Sequence, residues 1–253
     1  MSINYKWFLS LILSSMVVFS FSCRNDTSSL NTLDEFAGIA GSNKMNVCHG
    51  GSGVSVSNIN AGSLTAVVKS TLSAVPEGVQ KVFSSAGGQI IVDSSEARAK
   101  CANVINDPKV VRDIYGGAAS GVFTCWRAQN GKPIIYLEED EAKIKHSLLR
   151  VFAYFITQAV VPGASKVSST ASLAKVSQDK FNKLSESFLS DLEKIDSSRA
   201  SRFSTEFSRD MLNQYVFAES FDSYYCNSST RNSMKSKFAN TYKAFTDMYI
   251  NKK

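Results

Sequence analysis

Histidine is nearly absent: the chain of 253 residues has two, His49 and His146. A site needing two imidazoles one helical turn apart is therefore excluded anywhere in it. The five cysteines form no Cys-x-x-Cys pair, which argues against a cysteine-built zinc centre. Gly50-Gly51-Ser52-Gly53 has no following Gly-Lys-Ser/Thr and no helix start, so it is not a phosphate loop. No Ser/His/Asp or Cys/His arrangement is recognisable, and there is no internal repeat. Charges of both signs are mixed, with no dense basic block before Lys252-Lys253. The formal charge of +6 thus describes a solvated surface and argues against nucleic acid as a partner. Weak attraction to an anionic membrane surface or cell-wall polymer stays compatible with it.

What is present begins with an export signal. Lys6 supplies a short basic start, and Trp7 to Phe21 is apolar but too short and too serine-laced for a comfortable membrane span. Residues 1–22 therefore read as a signal peptide. Its end, Phe19-Ser20-Phe21-Ser22-Cys23, resembles a bacterial lipoprotein signal, with bulky Phe21 where such signals usually carry a small residue. The resemblance implies lipidation of Cys23 and anchoring to the cell envelope, at the outer membrane on its periplasmic or surface face. Ordinary cleavage leaving a free Cys23 is the alternative. With Cys23 set aside, Cys48, Cys101, Cys125 and Cys226 can form two disulfides in an oxidising envelope, in three connectivities.

Residues 23–63, rich in Ser, Asn, Thr and Gly, read as a flexible tether, with His49 a loop residue. The folded domain is expected over 64–253. Leu64, Val67, Val68, Leu72 and Val75 keep helical spacing up to Pro76, and Val79, Val82 and Phe83 suggest a second helix that Gly87-Gly88 stops. Gln89 to Asp93 is a compact strand candidate, and 97–114 holds one or two short helices. Strands at 121–126 and 133–137 flank Asn130-Gly131, a strong hairpin signal. The acids from Glu138 to Glu141 suit the positive end of a following helix, or attraction of a metal. The remainder is helical. Stripes run through 141–160, through Phe181 to Ile195, from Phe203 through Met211 towards Tyr225, and from Met234 to Phe245. The class is α+β, predominantly helical with a small sheet.

One helix carries the chemistry worth pursuing. In residues 143–160, Ile144, Leu148, Val151, Phe152, Phe155 and Ile156 form an apolar stripe, while His146, Leu149, Arg150 and Ala153 share another face. A later segment reads Phe217-Ala218-Glu219-Ser220-Phe221, followed by Asp222-Ser223-Tyr224-Tyr225-Cys226, Thr230-Arg231 and Phe238-Ala239-Asn240-Thr241-Tyr242. This order is similar to gluzincin-type metallopeptidases, especially the catalytic-domain family that includes anthrax lethal factor, and would span roughly 64–250. A proline commonly stands at the Ala239 position in such domains. The resemblance implies a zincin-like fold in which His146 maps to the first zinc ligand and Glu219 to the third.

The same mapping removes the chemistry. Ser147 stands where the Glu general base belongs and cannot take a proton from metal-bound water. Arg150 stands where the second His belongs and, always protonated, repels a cation. Two surviving ligands, His146 and Glu219, are too few for a tight catalytic zinc, so no cofactor is expected and peptidase activity by this mechanism is not expected. An Arg150–Glu219 ion pair is expected in the space of the metal. The resemblance also favours Cys48–Cys101 with Cys125–Cys226, which would tie a cleft strand to the helix of Glu219.

The leading expectation is a non-catalytic zincin-like lipoprotein whose former cleft binds a peptide, an envelope protein or a wall fragment. Strand capture along Ile134 to Leu137 is the expected mode. An enzyme with other chemistry, such as a hydrolase, and a purely structural envelope protein with a closed cleft are the alternatives.

Overall fold

The computed structural model describes residues 53–101, 123–159 and 178–248. The expected signal, the expected lipidation site, Cys48, His49 and the expected helices beyond Cys101 lie outside them. Elements are numbered along the described residues. Strand β1 (Ile59–Asn60) leads through a short 3-10 turn into α1 (Thr65–Leu72) and α2 (Glu77–Ser85), then β2 (Gln89–Val92) and α3 (Ser94–Cys101). The hairpin β3 (Cys125–Gln129) and β4 (Lys132–Leu137) precedes the long helix α4 (Glu141–Ala159). Helices α5 (Gln178–Ile195), α6 (Ser197–Glu206), α7 (Arg209–Tyr225), α8 (Ser228–Lys237) and α9 (Ala239–Thr246) follow. The class is α+β as the periodicity predicts. Among the described residues no helix is long and apolar enough to cross a membrane.

The sheet has the order β1-β2-β4-β3, parallel except for β3, which runs antiparallel to β4. Asn130 (φ 51°) and Gly131 (φ 73°) both take the left-handed conformation that a tight two-residue hairpin requires. Strand alternation sends Ile90, Val92, Trp126, Ile135 and Leu137 into the main core, while Cys125 and Tyr136 meet Ala97 and Cys101 of α3 on the other face. Phe83, Phe152, Phe155 and Trp126 lock the main face through edge-on ring contacts of 5.0–5.7 Å. Helix α4 lies between this sheet and α7. Residues 147–157 are all buried, so the stripe read from the sequence is only one side of a helix covered all round.

Several helix starts have a side-chain cap. Asp140, Asp196, Ser208 and Asn227 accept the amides of Lys143, Arg199, Met211 and Thr230. Helix α9 has no side-chain cap of its own; the buried Asp191 of α5 instead accepts the Thr241 amide and hydroxyl, both at 2.9 Å. Helix α2 ends with Gly87 at φ +73°, and the Gly87 and Gly88 amides turn back to the carbonyls of Ser84 and Phe83.

Several expectations change. Residues 53–63, read as tether, pack on the domain: Val56 is 2% exposed, the Ser55 amide bonds Gln80, and β1 joins the sheet. Composition misled there because one buried valine and backbone pairing suffice to fix a Ser/Gly-rich segment. The preferred disulfides are also wrong. Cys101 pairs with Cys125 (Cα–Cα 5.6 Å), because α3 crosses the sheet face and ends beside the start of β3. Cys226 is disulfide-bonded too, to a partner outside the described residues. Residues 134–137 are no edge, because β4 is paired on both sides; among the described residues the edge strands are β1 and β3. Met211 belongs to the helix after the break at Phe207-Ser208, and the final stripe is two helices that part at Phe238.

Candidate functional site

The site lies where α4 and α7 pack. His146 occupies the second turn of α4, one turn before Arg150; its side chain lies outside the described ones. Arg150 and Glu219 converge, with guanidinium Nη2 3.1 Å from carboxylate Oε2, and their side chains are 6% and 1% exposed. A third group that the sequence reading left without a role, Asp222, places Oδ2 3.6 Å from Arg150 Nε. It sits three residues after Glu219 on the same buried helix. A second carboxylate at that spacing within an aromatic stretch was the available signal.

The electrostatics follow from one cation facing two carboxylates, all three residues buried. Burial disfavours the charge on Arg150, but Glu219, then Asp222, then Tyr215 and Tyr154, outweigh it and hold the guanidinium above its ordinary pKa. For Asp222 the balance falls the other way. Burial pushes its carboxyl above the usual range, and Arg150 offsets this only in part at the longer contact.

Ser147, expected from the sequence to stand in place of a general base, is 4% exposed and donates its hydroxyl to the Lys143 carbonyl at 2.6 Å. It is thus engaged with its own helix and has no carboxylate chemistry to offer. Glu138 is no helix cap: it is buried, accepts the Phe123 amide at 2.9 Å and pairs with Lys143 at 3.0 Å. Asp140 and Glu141 serve the helix start as expected, Asp140 as the cap and Glu141 in the first turn.

These groups do not fit a catalytic zinc. Arg150 is a cation and cannot ligate a metal, and the Glu219 carboxylate already faces it at 3.1 Å. Among the described residues no three His, Cys, Asp or Glu side chains gather to hold a metal ion. Ser220 and Ser223, on the same helix as Glu219, are fully buried with hydroxyls that lack a hydrogen-bond partner among the described residues. A separate cavity of about 440 Å³ lies between α5 and α9, lined by Lys183, Glu186, Asn240, Lys243 and Asp247. It is open, of mixed charge, and does not include the Arg150 cluster.

No family model matches the chain, and no curated protein matches it in sequence. Among solved structures it is similar to the PRO-PRO endopeptidase PPEP-2 from Paenibacillus alvei. That similarity has 13% identity and a TM-score of 0.41, over 73% of this chain and 90% of that one.

Proposed function

We propose that this chain is a non-catalytic, zincin-like envelope lipoprotein, lipid-anchored through Cys23, in which an internal ion cluster stands where a peptidase would carry its metal. The observation that carries this reading is the buried Arg150–Glu219 contact at 3.1 Å. The helix position that should supply a ligand supplies the counter-charge instead. Ligand binding, to an extended peptide or an envelope component, then falls to the edge strand β3. In the two-residue hairpin, Gln129 and Lys132 form the hydrogen-bonded pair next to the turn. The amide and carbonyl of Ala128 are thereby directed away from β4, the arrangement that strand addition uses.

A purely structural role is the second reading, favoured by the burial of Arg150, Glu219 and Asp222, all at 6% exposure or less. Two measurements separate these from an enzyme. Zinc per chain and cleavage of a peptide library are measured for the native protein and for Ser147→Glu/Arg150→His, which rebuilds His-Glu-x-x-His around His146. Native protein should take up no stoichiometric zinc, and the double variant should approach one equivalent. Native protein carrying one zinc and cleaving peptides would revive the enzyme. A folded double variant without zinc would remove the zincin ancestry.

A further inference from the structure

We propose that the outer face of α8, with the tyrosines beneath it, is a docking surface for phosphodiester headgroups of an anionic lipid bilayer. From Tyr224 to Thr246 the chain carries Arg231, Lys235, Lys237 and Lys243 and no Asp or Glu. None of these four cations pairs with a carboxylate among the described residues, whereas eight others elsewhere do.

The arrangement is built rather than scattered. Arg231 donates Nε to the Tyr224 carbonyl at 2.8 Å and lies over the Tyr224 ring at 4.7 Å. Its Nη groups make no contact with a described carboxylate or carbonyl and present a fixed donor edge, the geometry suited to phosphate oxygens. One turn on, the Lys235 ammonium stands 6.0 Å from the Tyr242 ring, and the two rings are 5.9 Å apart. The result is two cations on one helix face above two half-buried tyrosines. Tyrosine's apolar body and polar tip suit the headgroup level of a bilayer, and neighbouring cations suit its negative potential.

Cations in a last helical turn also answer the helix dipole, and Lys235 has that use. Arg231, in the first half of α8, does not. The surface is independent of the zincin reading, since it lies on other helices and needs no cleft.

The test compares the full chain on vesicles of phosphatidylcholine alone with vesicles containing phosphatidylglycerol, so that any lipid or leader anchor is common to both. Amide exchange over 228–237 should slow on the anionic vesicles only, and the effect should fade as salt rises. Lys235→Gln, whose side chain makes no hydrogen bond to a described residue, should weaken the anionic increment about fivefold, and Arg231→Gln/Lys235→Gln about 25-fold. Lys183→Gln, in the α5–α9 cavity, should leave it unchanged. Equal protection by soluble inorganic phosphate or by polyglutamate would overturn the proposal, as would equal protection on neutral vesicles or none on either.

Discussion

Replacing Arg150 with Leu puts the central geometry under direct strain. The substitution keeps an apolar side chain in the α4–α7 interface but deletes the cation facing Glu219 at 3.1 Å and Asp222 at 3.6 Å. Both carboxylates stay where water cannot reach them, with side chains 1% and 9% exposed. Breaking a buried pair in this way costs about 3–5 kcal/mol, because the abandoned charge is left without compensation. For a domain of this size that is a fall in melting temperature of roughly 6–20 °C. The loss should carry a pH signature. A buried carboxylate without a counter-charge favours its neutral form, so the variant's deficit should be small near pH 4 and grow as pH rises towards 8. Adding Glu219→Gln should recover much of the loss, since a neutral, similarly shaped interior often costs little. Urea and thermal melts at pH 5 and 8 decide the matter. A deficit below about 1 kcal/mol at pH 8, or one that ignores pH and is not rescued by Glu219→Gln, would show that the contact does not carry the interface.

Other regions yield their own tests. Asp222→Asn removes a group whose carboxyl is held above its ordinary pKa, mainly by burial. Its stabilising contribution is full below about pH 4, its unfolded value, and is lost as pH rises through the folded one. The native protein should therefore lose ground to Asp222→Asn as pH climbs from 4 to 7 in paired melts; the opposite slope would contradict the assignment. Gly88→Ala would set a methyl 2.4 Å from Phe83 Cδ1 and 2.5 Å from the Phe83 carbonyl oxygen, so thermal melts should show about 1–3 kcal/mol of destabilisation. Cutting Cys101–Cys125 with a double serine substitution opens a loop of 24 residues' separation and should cost about 3.5 kcal/mol by chain entropy. Peptide mapping without reduction should recover Cys101 and Cys125 on one linked fragment. Asp191→Ala removes the acceptor for the Thr241 amide and should cost about 1–2 kcal/mol, with faster amide exchange in the first turn of α9.

Much of this architecture was legible because it rests on periodicity and local turn chemistry. The helix at 141–160, the hairpin turn at Asn130-Gly131 and the stop at Gly87-Gly88 each follow from residues close in the chain. The Arg150–Glu219 contact was legible for a different reason: a cation on one buried helix was matched to a carboxylate expected opposite it. What could not be read depends on neighbours distant in sequence. Cys101 and Cys125 meet only because α3 folds back over the sheet. Residues 134–137 carry no sign of being covered by β2, because strand order is a property of the whole sheet. The break at Phe238 interrupts an apolar pattern that would suit one continuous helix. Asp191, on α5, caps the new start and stabilises the division.

The cluster at α4 and α7 also shows how a helix buried on all sides can hold a carboxylate without a metal. A carboxylate on a helix buried on all sides demands a positive partner, and a metal ion or a guanidinium can each meet that demand. The two are not equivalent. Arginine gives donors in fixed directions and holds its proton, so it neutralises Glu219 but offers no Lewis acidity and no ionisable water. With Asp222 also drawn in, the same cation serves two carboxylates, and burial keeps Asp222 reluctant to ionise. The centre is therefore electrically balanced by packing rather than by a ligand that could leave. A scaffold balanced in that way has no reason to keep its centre open. What still faces outward among the described residues is the backbone of the β3 edge and the cationic side chains of α8.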